Sequence, residues 1–353
     1  MDKVSKKNKI KNRIKSLKIF FDKLNIDGYI IPKNDEFFSE YSNKDRLKII
    51  SNFSGSAGYA VILKKKNYLF VDGRYTIQAS LESGDNFQIK DYKKIINCDL
   101  FKNLTLGIDP KLFTSSQIQN FFLKKNKVKQ IPINLIDKIH RNHKLIRKPF
   151  YSLKDEVAGE NYKKKLKKIV SFLKKKKLDY IFISAPENVA WLLNIRGHDN
   201  PNSPIPNCHM LLSRKKNMYL LGERKKFSKL IDEKKIHSKQ IINEKNFIKL
   251  IESLKKSKIS IDMKSCSLFF EKIFERNLKI IKNDDPIYLL KSKKNNIEIK
   301  NMINCHISDG IALTKFLFWI KKINKKSITE FQAQKKLESF RKINKDYLFP
   351  SFN

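Results

Sequence analysis

Two stretches of this chain, about 150 residues apart, spell out the same succession of helix, strand and hairpin, and that repetition limits the available folds more than any other feature. In the first stretch Ile10, Ile14, Leu17, Phe20, Phe21 and Leu24 recur at helical spacing among lysines, which predicts an amphipathic helix. Asp27-Gly28 is a turn signal, and Tyr29-Ile30-Ile31 reads as a strand stopped by Pro32. After the small-residue loop Ser54-Gly55-Ser56-Ala57-Gly58, the apolar runs Tyr59 to Leu63 and Tyr68 to Val71 flank a short Lys/Asn turn, the pattern of a hairpin. In the second stretch Leu166, Ile169, Val170 and Leu173 mark the helix and Leu178 to Ile183 the strand. His209 to Leu212 and Met218 to Leu221 mark the hairpin there. One register relates Tyr29 to Tyr180 and Tyr68 to Tyr219, each 151 residues apart. The chain reads as an internal duplication of an α/β unit.

Between the copies, Ile131 to Ile136 leads into a polar, basic stretch from Asp137 to Pro149 that reads as a linker. The second copy reads as closing with the strand Ile259 to Asp262. After Asp285-Pro286 the texture changes: Ile299, Met302, Ile303, His306, Ile307, Gly310, Leu313, Phe316, Leu317 and Ile320 keep helical spacing. Thr329 with Gln332 three residues on has the form of a capping box, opening one more helix through Phe331, Leu337 and Phe340. Two helices cannot bury both their faces alone, so a further element is expected after them. The expected division is a first domain at 1–148, a related second domain at 149–288, and the opening of a third at 289–353.

Hydrophobic residues make up 41% and aromatic residues 11%, a composition that builds cores. The formal net charge of +41 invites a nucleic-acid reading, but of 76 basic residues only ten are arginine. Guanidinium is the better group for forked contacts with phosphate and guanine, and lysine appears here throughout, on helix faces and in turns, so no nucleic-acid partner is expected. Cys98, Cys208, Cys266 and Cys305 are too far apart for a zinc ribbon or a disulfide scaffold, and read as buried free thiols. The apolar run Ile19-Phe20-Phe21 is too short for a signal-peptide core, and no later run approaches the roughly 20 residues of a membrane span. A cytoplasmic protein without a membrane partner is expected.

Single residues offer little chemistry. His140, His143, His198, His209, His237 and His306 form no HExxH and no tight cluster with carboxylates. His140 and His143 read as solvated linker residues, His209 and Cys208 as packing residues, and His306 as a core histidine on an apolar helix face. The motifs of serine hydrolases, P-loop NTPases and Rossmann dehydrogenases are missing. Two stretches stand out. Phe53 to Gly58 with Val71-Asp72-Gly73-Arg74-Tyr75 offers small residues where backbone must pass closely; a left-handed glycine would aim Arg74, unless this is simply a hairpin end with a surface arginine. Ala190 to Asp199 suggests a buried helix carrying Trp191 and ending at Gly197, with Arg196 either bridging to a neighbouring domain or solvated.

Taken in order along the chain, these stretches resemble the aminopeptidase P family, the three-domain cytosolic Xaa-Pro aminopeptidases. Tyr29 to Pro32 and Ser39-Glu40-Tyr41 resemble its opening, Phe53 to Gly58 its F-x-G-S-A-G loop, and Asp72 to Tyr75 its DGRY. Trp191 to Gly197 with Asp199 resembles its second-domain signature. Asn295 to Glu298, His306 and Asp309-Gly310 resemble the start of its catalytic domain, and Glu338, Phe340-Arg341 and Pro350 to Phe352 the stretch before its first catalytic histidine. The match departs at Pro186-Glu187-Asn188, where the family has an Asp and a small residue.

The resemblance implies an α/β chain of two creatinase-type N-terminal domains, each a mixed sheet with flanking helices, followed by the first helices of an incomplete pita-bread domain. It implies an enzyme that removes the N-terminal residue from peptides with proline at position two, a homodimer, and two divalent metal ions, manganese being usual. Those metals sit between two Asp, one His and two Glu, and a bridging hydroxide attacks the carbonyl ahead of the proline. All five ligands would lie past Asn353, so no catalytic residue, no metal ligand and no bound cofactor is expected in this chain. Arg74 is the substrate-binding residue the resemblance carries over. A fragment of the enzyme is the favoured reading. The alternatives are a shortened non-catalytic binding or dimerisation module and, less favoured, a basic nucleic-acid binder.

Overall fold

The computed structural model describes residues 3–96, 100–122, 125–140, 148–323 and 327–351. Cys98, Arg141, His143 and Arg147 lie outside the described residues. Helix α1 (Lys3–Lys23) turns Ile10, Ile14, Leu17 and Phe21 onto a sheet, each such burial contributing about 1.5–3 kcal/mol before entropy is charged against it. There follow β1 (Gly28–Pro32), α2 (Arg46–Ser51), β2 (Gly58–Leu63), β3 (Asn67–Val71), α3 (Thr76–Ser83) and β4 (Gln88–Asp91). The unit then runs through β5 (Thr105–Ile108), α4 (Ser115–Phe121), β6 (Lys127–Gln130) and α5 (Leu135–Ile139). Its six strands lie in the order β4-β3-β2-β1-β5-β6, antiparallel at the hairpin and parallel towards both edges.

The second unit repeats this plan. After β7 (Tyr151–Ser152) and α6 (Asp155–Ala158) come α7 (Tyr162–Lys175), β8 (Tyr180–Ile183), α8 (Pro186–Leu193), β9 (Ile195–Arg196), β10 (His209–Ser213) and β11 (Met218–Leu221). Next are α9 (Ser228–Asp232), β12 (Ile241–Ile242), α10 (Glu244–Ser253), β13 (Lys258–Ile261), α11 (Leu268–Asn277), β14 (Lys279–Lys282) and α12 (Pro286–Ser292). The sheet order β12-β11-β10-β8-β13-β14 matches the first strand for strand, with the same pattern of parallel and antiparallel pairs. The duplication is therefore present, and the copy does not close at Asp262: α11, β14 and α12 still belong to it.

The register differs from the expectation at one tyrosine. Tyr29 is buried on the face covered by α1, with Ile31 and Ile62. On the matching face, covered by α7, stand Ile181, Ile183 and Leu212, while Tyr180 packs on the opposite side. Side chains alternate along a strand, so pairing Tyr29 with Tyr180 slips the copy by one residue and reverses its faces. Tyr68 and Tyr219 do correspond, both lying on the face away from the first helix. The sounder landmark is an aspartate. Asp27 accepts the Thr105 amide at 2.8 Å and Asp179 accepts the Lys258 amide at 2.9 Å, each carboxylate capping the first residue of the next parallel strand.

A tie between helices closes each copy. In the first, the buried Arg46 of α2 reaches Asp137 of α5 through Nε at 2.8 Å and Nη2 at 2.7 Å, and Nη2 also meets Glu36 at 2.6 Å. In the second, Asn188 of α8 donates to Asp285, the residue capping α12, at 2.7 Å, and Lys291 donates to Asn188 at 2.6 Å. Asp137 to Ile139 are thus helical and engaged, not linker, and His140 ends that helix with its amide on the Ile136 carbonyl.

The two units meet through backbone as well as side chains. Leu268 and Phe269, at the start of α11, donate their amides to Phe113 and Pro110 of the first unit at 2.8 and 3.1 Å. Phe37 stacks on His209 at 4.8 Å, and Lys111 pairs with Glu244 at 2.6 Å. Beyond α12 a hairpin of long helices, α13 (Asn296–Lys322) and α14 (Glu330–Arg341), is closed by a forked Arg341–Asp309 pair. Both helices open with the side-chain and backbone reciprocity of a capping box, at Asn295 with Glu298 and at Thr329 with Gln332. Ile303, Ile307, Ile311, Phe318 and Phe331 are each more than half exposed. His306 and Cys305 are exposed too, so His306 is not the core residue the periodicity suggested and Cys305 is not the buried thiol expected. An apolar stripe becomes a core only where something packs on it, and none of the described residues covers this one. Cys208 and Cys266 are buried as expected. Among the described residues no helix is long and apolar enough to cross a membrane.

Candidate functional site

The loop before β2 and the turn after β3 converge at one end of the first sheet. Gly55 and Gly58 are needed for close approach, not for left-handed backbone. A Cβ on Gly58 would stand 2.8 Å from the Phe70 carbonyl oxygen, and one on Gly55 would overlap the Phe53 ring. Neither glycine has positive φ, and nor has Gly73, whose Cβ would meet open space. What aims Arg74 is Asp72. Its carboxylate caps the short 3-10 turn Gly73–Tyr75 by accepting the Arg74 amide at 3.0 Å, and it accepts Arg74 Nε at 3.0 Å as well. Those two bonds hold the Asp72 carboxyl below its ordinary range. The guanidinium lies 5.3 Å from the centre of the Tyr75 ring, and the side chain is 72% exposed. Tyr75 is fixed in turn by a 3.0 Å bond between its hydroxyl and Ser56 Oγ and by an edge contact with Phe53. Ser54 is clamped to α3, its amide and hydroxyl both donating to Glu82 at 2.7 and 2.6 Å. Arg74 thus stands on a rigid base while its charged end stays in solvent.

Opposite the Ser56–Gly58 backbone runs the segment 33–45, and between them lies a cavity of about 160 Å³ lined by Asn34, Ser39, Glu40, Ser56 and Tyr92 among others. Asp35 shapes that segment by accepting the Phe37 and Ser39 amides at 2.9 and 3.0 Å, with Phe38 in the left-handed region. The Phe37–His209 stack and a bond from Asn43 to the Asp199 carbonyl fasten it to the second unit. Burial lowers the His209 imidazole to about 4, and its Nδ1 sits 2.8 Å from the Ser184 carbonyl, so it is a neutral packing residue. Composition held a signal for this segment: Asp35, Glu36, Glu40 and Asp45 fall within eleven residues of a chain of net charge +41.

The second stretch singled out from sequence folds differently from the expectation. Helix α8 ends at Leu193, not at Gly197, because Asn194 takes the left-handed capping conformation. Ile195 and Arg196 then pair with Tyr151 and Ser152 as strands β9 and β7. Arg196 is neither solvated nor bridging; its Nη1 donates to the carbonyls of Ala190 and Ile195. Lys165 performs a similar service. Its buried ammonium donates to the Trp191 carbonyl at 3.0 Å and to Asn194 Oδ1 at 2.7 Å, 4.0 Å from the centre of the Trp191 ring, and burial lowers it to about 8. This stretch is a capped and braced helix end.

Residues 13–139 and residues 140–298 each match a family described as the creatinase/prolidase N-terminal domain. The chain belongs to the creatinase/prolidase N-terminal domain family and holds two of its domains. Among similar proteins, Xaa-Pro aminopeptidase 1 of Dictyostelium discoideum is 32% identical over 98% of this chain and 59% of its own length. Xaa-Pro aminopeptidase ApepP of Drosophila melanogaster is 30% identical over 94% and 57%. The fold is that of the X-prolyl aminopeptidase of Caenorhabditis elegans, described as a cytosolic enzyme with a di-nuclear active site. That structure superposes with a TM-score of 0.84 at 23% identity, over 97% of this chain and 61% of the other. This creatinase/prolidase-type chain therefore spans about three fifths of the length of the relatives it matches. Among its described residues no group of three or more His, Cys, Asp or Glu could hold a metal ion, so the residues present do not fit a metal pair.

Proposed function

We propose that the chain forms the N-terminal domains of a metal-dependent Xaa-Pro aminopeptidase, which releases the first residue from peptides with proline at position two. The observation that carries this is the tandem of two creatinase/prolidase N-terminal domains aligned over nearly the whole chain with proteins named Xaa-Pro aminopeptidases. On this reading the first domain spans 1–148, the second runs from 149 through α12, a few residues beyond the expected 288, and a catalytic domain opens with α13 and α14. Two divalent metals, manganese by preference, belong to that catalytic domain; the enzyme is a cytoplasmic homodimer. The part played by this chain is to bind and orient. Arg74, held at its root by Asp72 and Tyr75, offers permanently charged donors to the peptide. Its Nη groups, without a partner among the described residues, suit carbonyl or carboxylate oxygen. Restricting a bound peptide before the chemistry begins lowers the barrier through lost freedom already surrendered in binding.

The test is the protein expressed from its gene in full, assayed on an Xaa-Pro peptide before and after metal chelation. Cleavage ahead of proline that chelation abolishes and added manganese restores is expected. Cleavage indifferent to chelation, or none at all, defeats the proposal. The 353-residue polypeptide by itself is expected to hold no stoichiometric metal pair, and hydrolysis by it unaided would reassign the chemistry.

A further inference from the structure

The loop 54–57 is bound to α3 more tightly than its place in the fold calls for. It is short and already anchored at both ends: Phe53 is fully buried before it, and Gly58 opens β2 after it. Ser54 itself is exposed, yet its amide and hydroxyl donate to both oxygens of the Glu82 carboxylate, at 2.7 and 2.6 Å. Gln78, one turn earlier on α3, donates from Nε2 to Ser54 Oγ at 2.8 Å and to Glu82 Oε1 at 3.1 Å. Further along the loop, Ser56 Oγ meets the Tyr75 hydroxyl at 3.0 Å, and Tyr75 stands at the start of the same helix. The ties close a ring: Glu82 and Gln78 to Ser54, along the loop to Ser56, across to Tyr75 and back down α3. Gly55 lies within it, so close that a Cβ there would stand 3.0 Å from the Tyr75 ring.

Freezing exposed backbone and side chains costs conformational entropy, and bonds open to water offset little of it. The second domain shows that the fold does without such a ring. Its matching turn, Arg224–Phe227, follows Glu223, whose side chain makes no capping bond. The loop before β10 is held there from the turn itself, by Lys226 on the buried Asp199 at 2.6 Å. What the ring in the first domain does hold is the Tyr75 side chain, and the Arg74 guanidinium lies over that aromatic face at 5.3 Å from its centre. Asp72 fixes the guanidinium at Nε, and Tyr75 is its second support.

We propose that Glu82, acting with Gln78 through Ser54, is a positioning residue for peptide binding: it keeps Tyr75 in place and, through Tyr75, the donors of Arg74. This rests on the peptidase reading and on Arg74 as its peptide contact. Order already present in the free protein need not be created when a peptide binds, so the gain falls on binding.

The test uses the protein expressed from its gene in full, with an Xaa-Pro peptide as substrate. Glu82→Gln keeps the shape of the side chain but can accept through one oxygen only. It is expected to raise KM by about three- to ten-fold, the factor for one side chain that must be ordered on binding, and to leave kcat within about two-fold. Ser54→Ala, which keeps the amide bond and loses both hydroxyl bonds, should raise KM by about two-fold. In an Arg74→Gln background the effect of Glu82→Gln should shrink below about two-fold, because residues acting through one contact are not additive. A merely structural role would not depend on Arg74. An unchanged KM in Glu82→Gln, or a rise that keeps its full size without Arg74, overturns the inference and leaves the peptidase reading standing. No weakening by Arg74→Gln alone, or no cleavage of any Xaa-Pro peptide by the unaltered protein, overturns the reading beneath it. Should Glu82→Gln fail to fold, Ser54→Ala carries the same two comparisons.

Discussion

The two domains have one sheet order and close it with different chemistry. In the first, α2 is bound to α5 by a buried guanidinium between two carboxylates; in the second, α8 is bound to α12 by an amide donating to a single carboxylate. The same position in the fold can thus be secured by full charge or by a mostly neutral bond. The choice decides how each half responds to mutation and to acid. Burial works against the charge on Glu36, but Arg46 and Lys44 outweigh it and hold the carboxyl at about 2. Asp285 has no such cation in command: burial leads, and its carboxyl is pushed up to about 6.

The sharpest way to break the contrast is to remove the charged tie. Arg46→Met removes the forked bonds to Asp137 and the shorter of the two cationic contacts on Glu36, which keeps Lys44 at 3.4 Å, and is expected to cost the first domain roughly 3 kcal/mol. Asn188→Leu in the second domain should cost roughly 1–3 kcal/mol, the scale of a buried acceptor left bare. Urea unfolding followed by domain-resolved hydrogen exchange reads both. Equal losses would mean that the charge contributes nothing beyond its hydrogen bonds.

Acid should act on the two ties over different ranges. A carboxyl depressed on folding, as Glu36 is, stabilises above its unfolded value near 4.5, and that contribution is lost as pH falls towards 2. A carboxyl raised on folding, as Asp285 is, favours the fold most below about 3.8 and loses that advantage as pH climbs through 6. His209, lowered to about 4 by burial, takes stability away from its surroundings as pH falls from 6.5, so each tie is read against its own variant. The stability gap between the unaltered chain and Glu36→Gln should narrow from pH 4.5 downward. Replacing Asp285 by Asn should help most above pH 6 and progressively less towards pH 4. A gap that stays constant with pH in either variant removes that group from the account.

A smaller effect tests the register. Tyr29 pairs with Gly107 across β1 and β5, where Ile181 pairs with Ser260 across β8 and β13. A Cβ on Gly107 would stand 3.0 Å from the Tyr29 ring, so Gly107→Ser should cost about 1–3 kcal/mol by overpacking. Ser260→Gly should cost about 0.5–1 kcal/mol, from backbone freedom and one weak side-chain bond. Thermal melts order the two, and a reversed order would contradict the alignment of the sheets.

These elements also mark how far sequence alone could reach. Central strands and their helices were legible because they are buried and periodic, as Ile10 to Phe21 and Met210 to Leu221 are. The strands β4, β6 and β14 were not. They are short sheet edges written Gln88-Ile89-Lys90-Asp91, Lys127 to Gln130 and Lys279 to Lys282, with the lysines that edges carry against unwanted pairing. The correspondence of the copies was visible, but matching tyrosines placed it one residue off. The aspartates that fix it act through backbone amides some 78 and 79 residues away. The turn from Asp72 to Tyr75 could be picked out because it is local. The course of the segment 33–45 could not, since it takes its shape from contacts with a domain more than 150 residues later.

Helix α13 leaves the second domain through a tight foothold. Asn295 caps it and donates to the Ala158 carbonyl at 2.9 Å, Asn301 reaches the Val157 carbonyl at 3.1 Å, and Gly159 lies so close to Asn295 that any side chain there would collide. From that foot the helix runs 27 residues, a lever about 40 Å long. A tilt of 5° at its base would swing the far tip by about 3.5 Å, several times the tolerance of a hydrogen bond. A change as slight as Gly159→Ala could therefore register first at Lys322, far from the place where it was made.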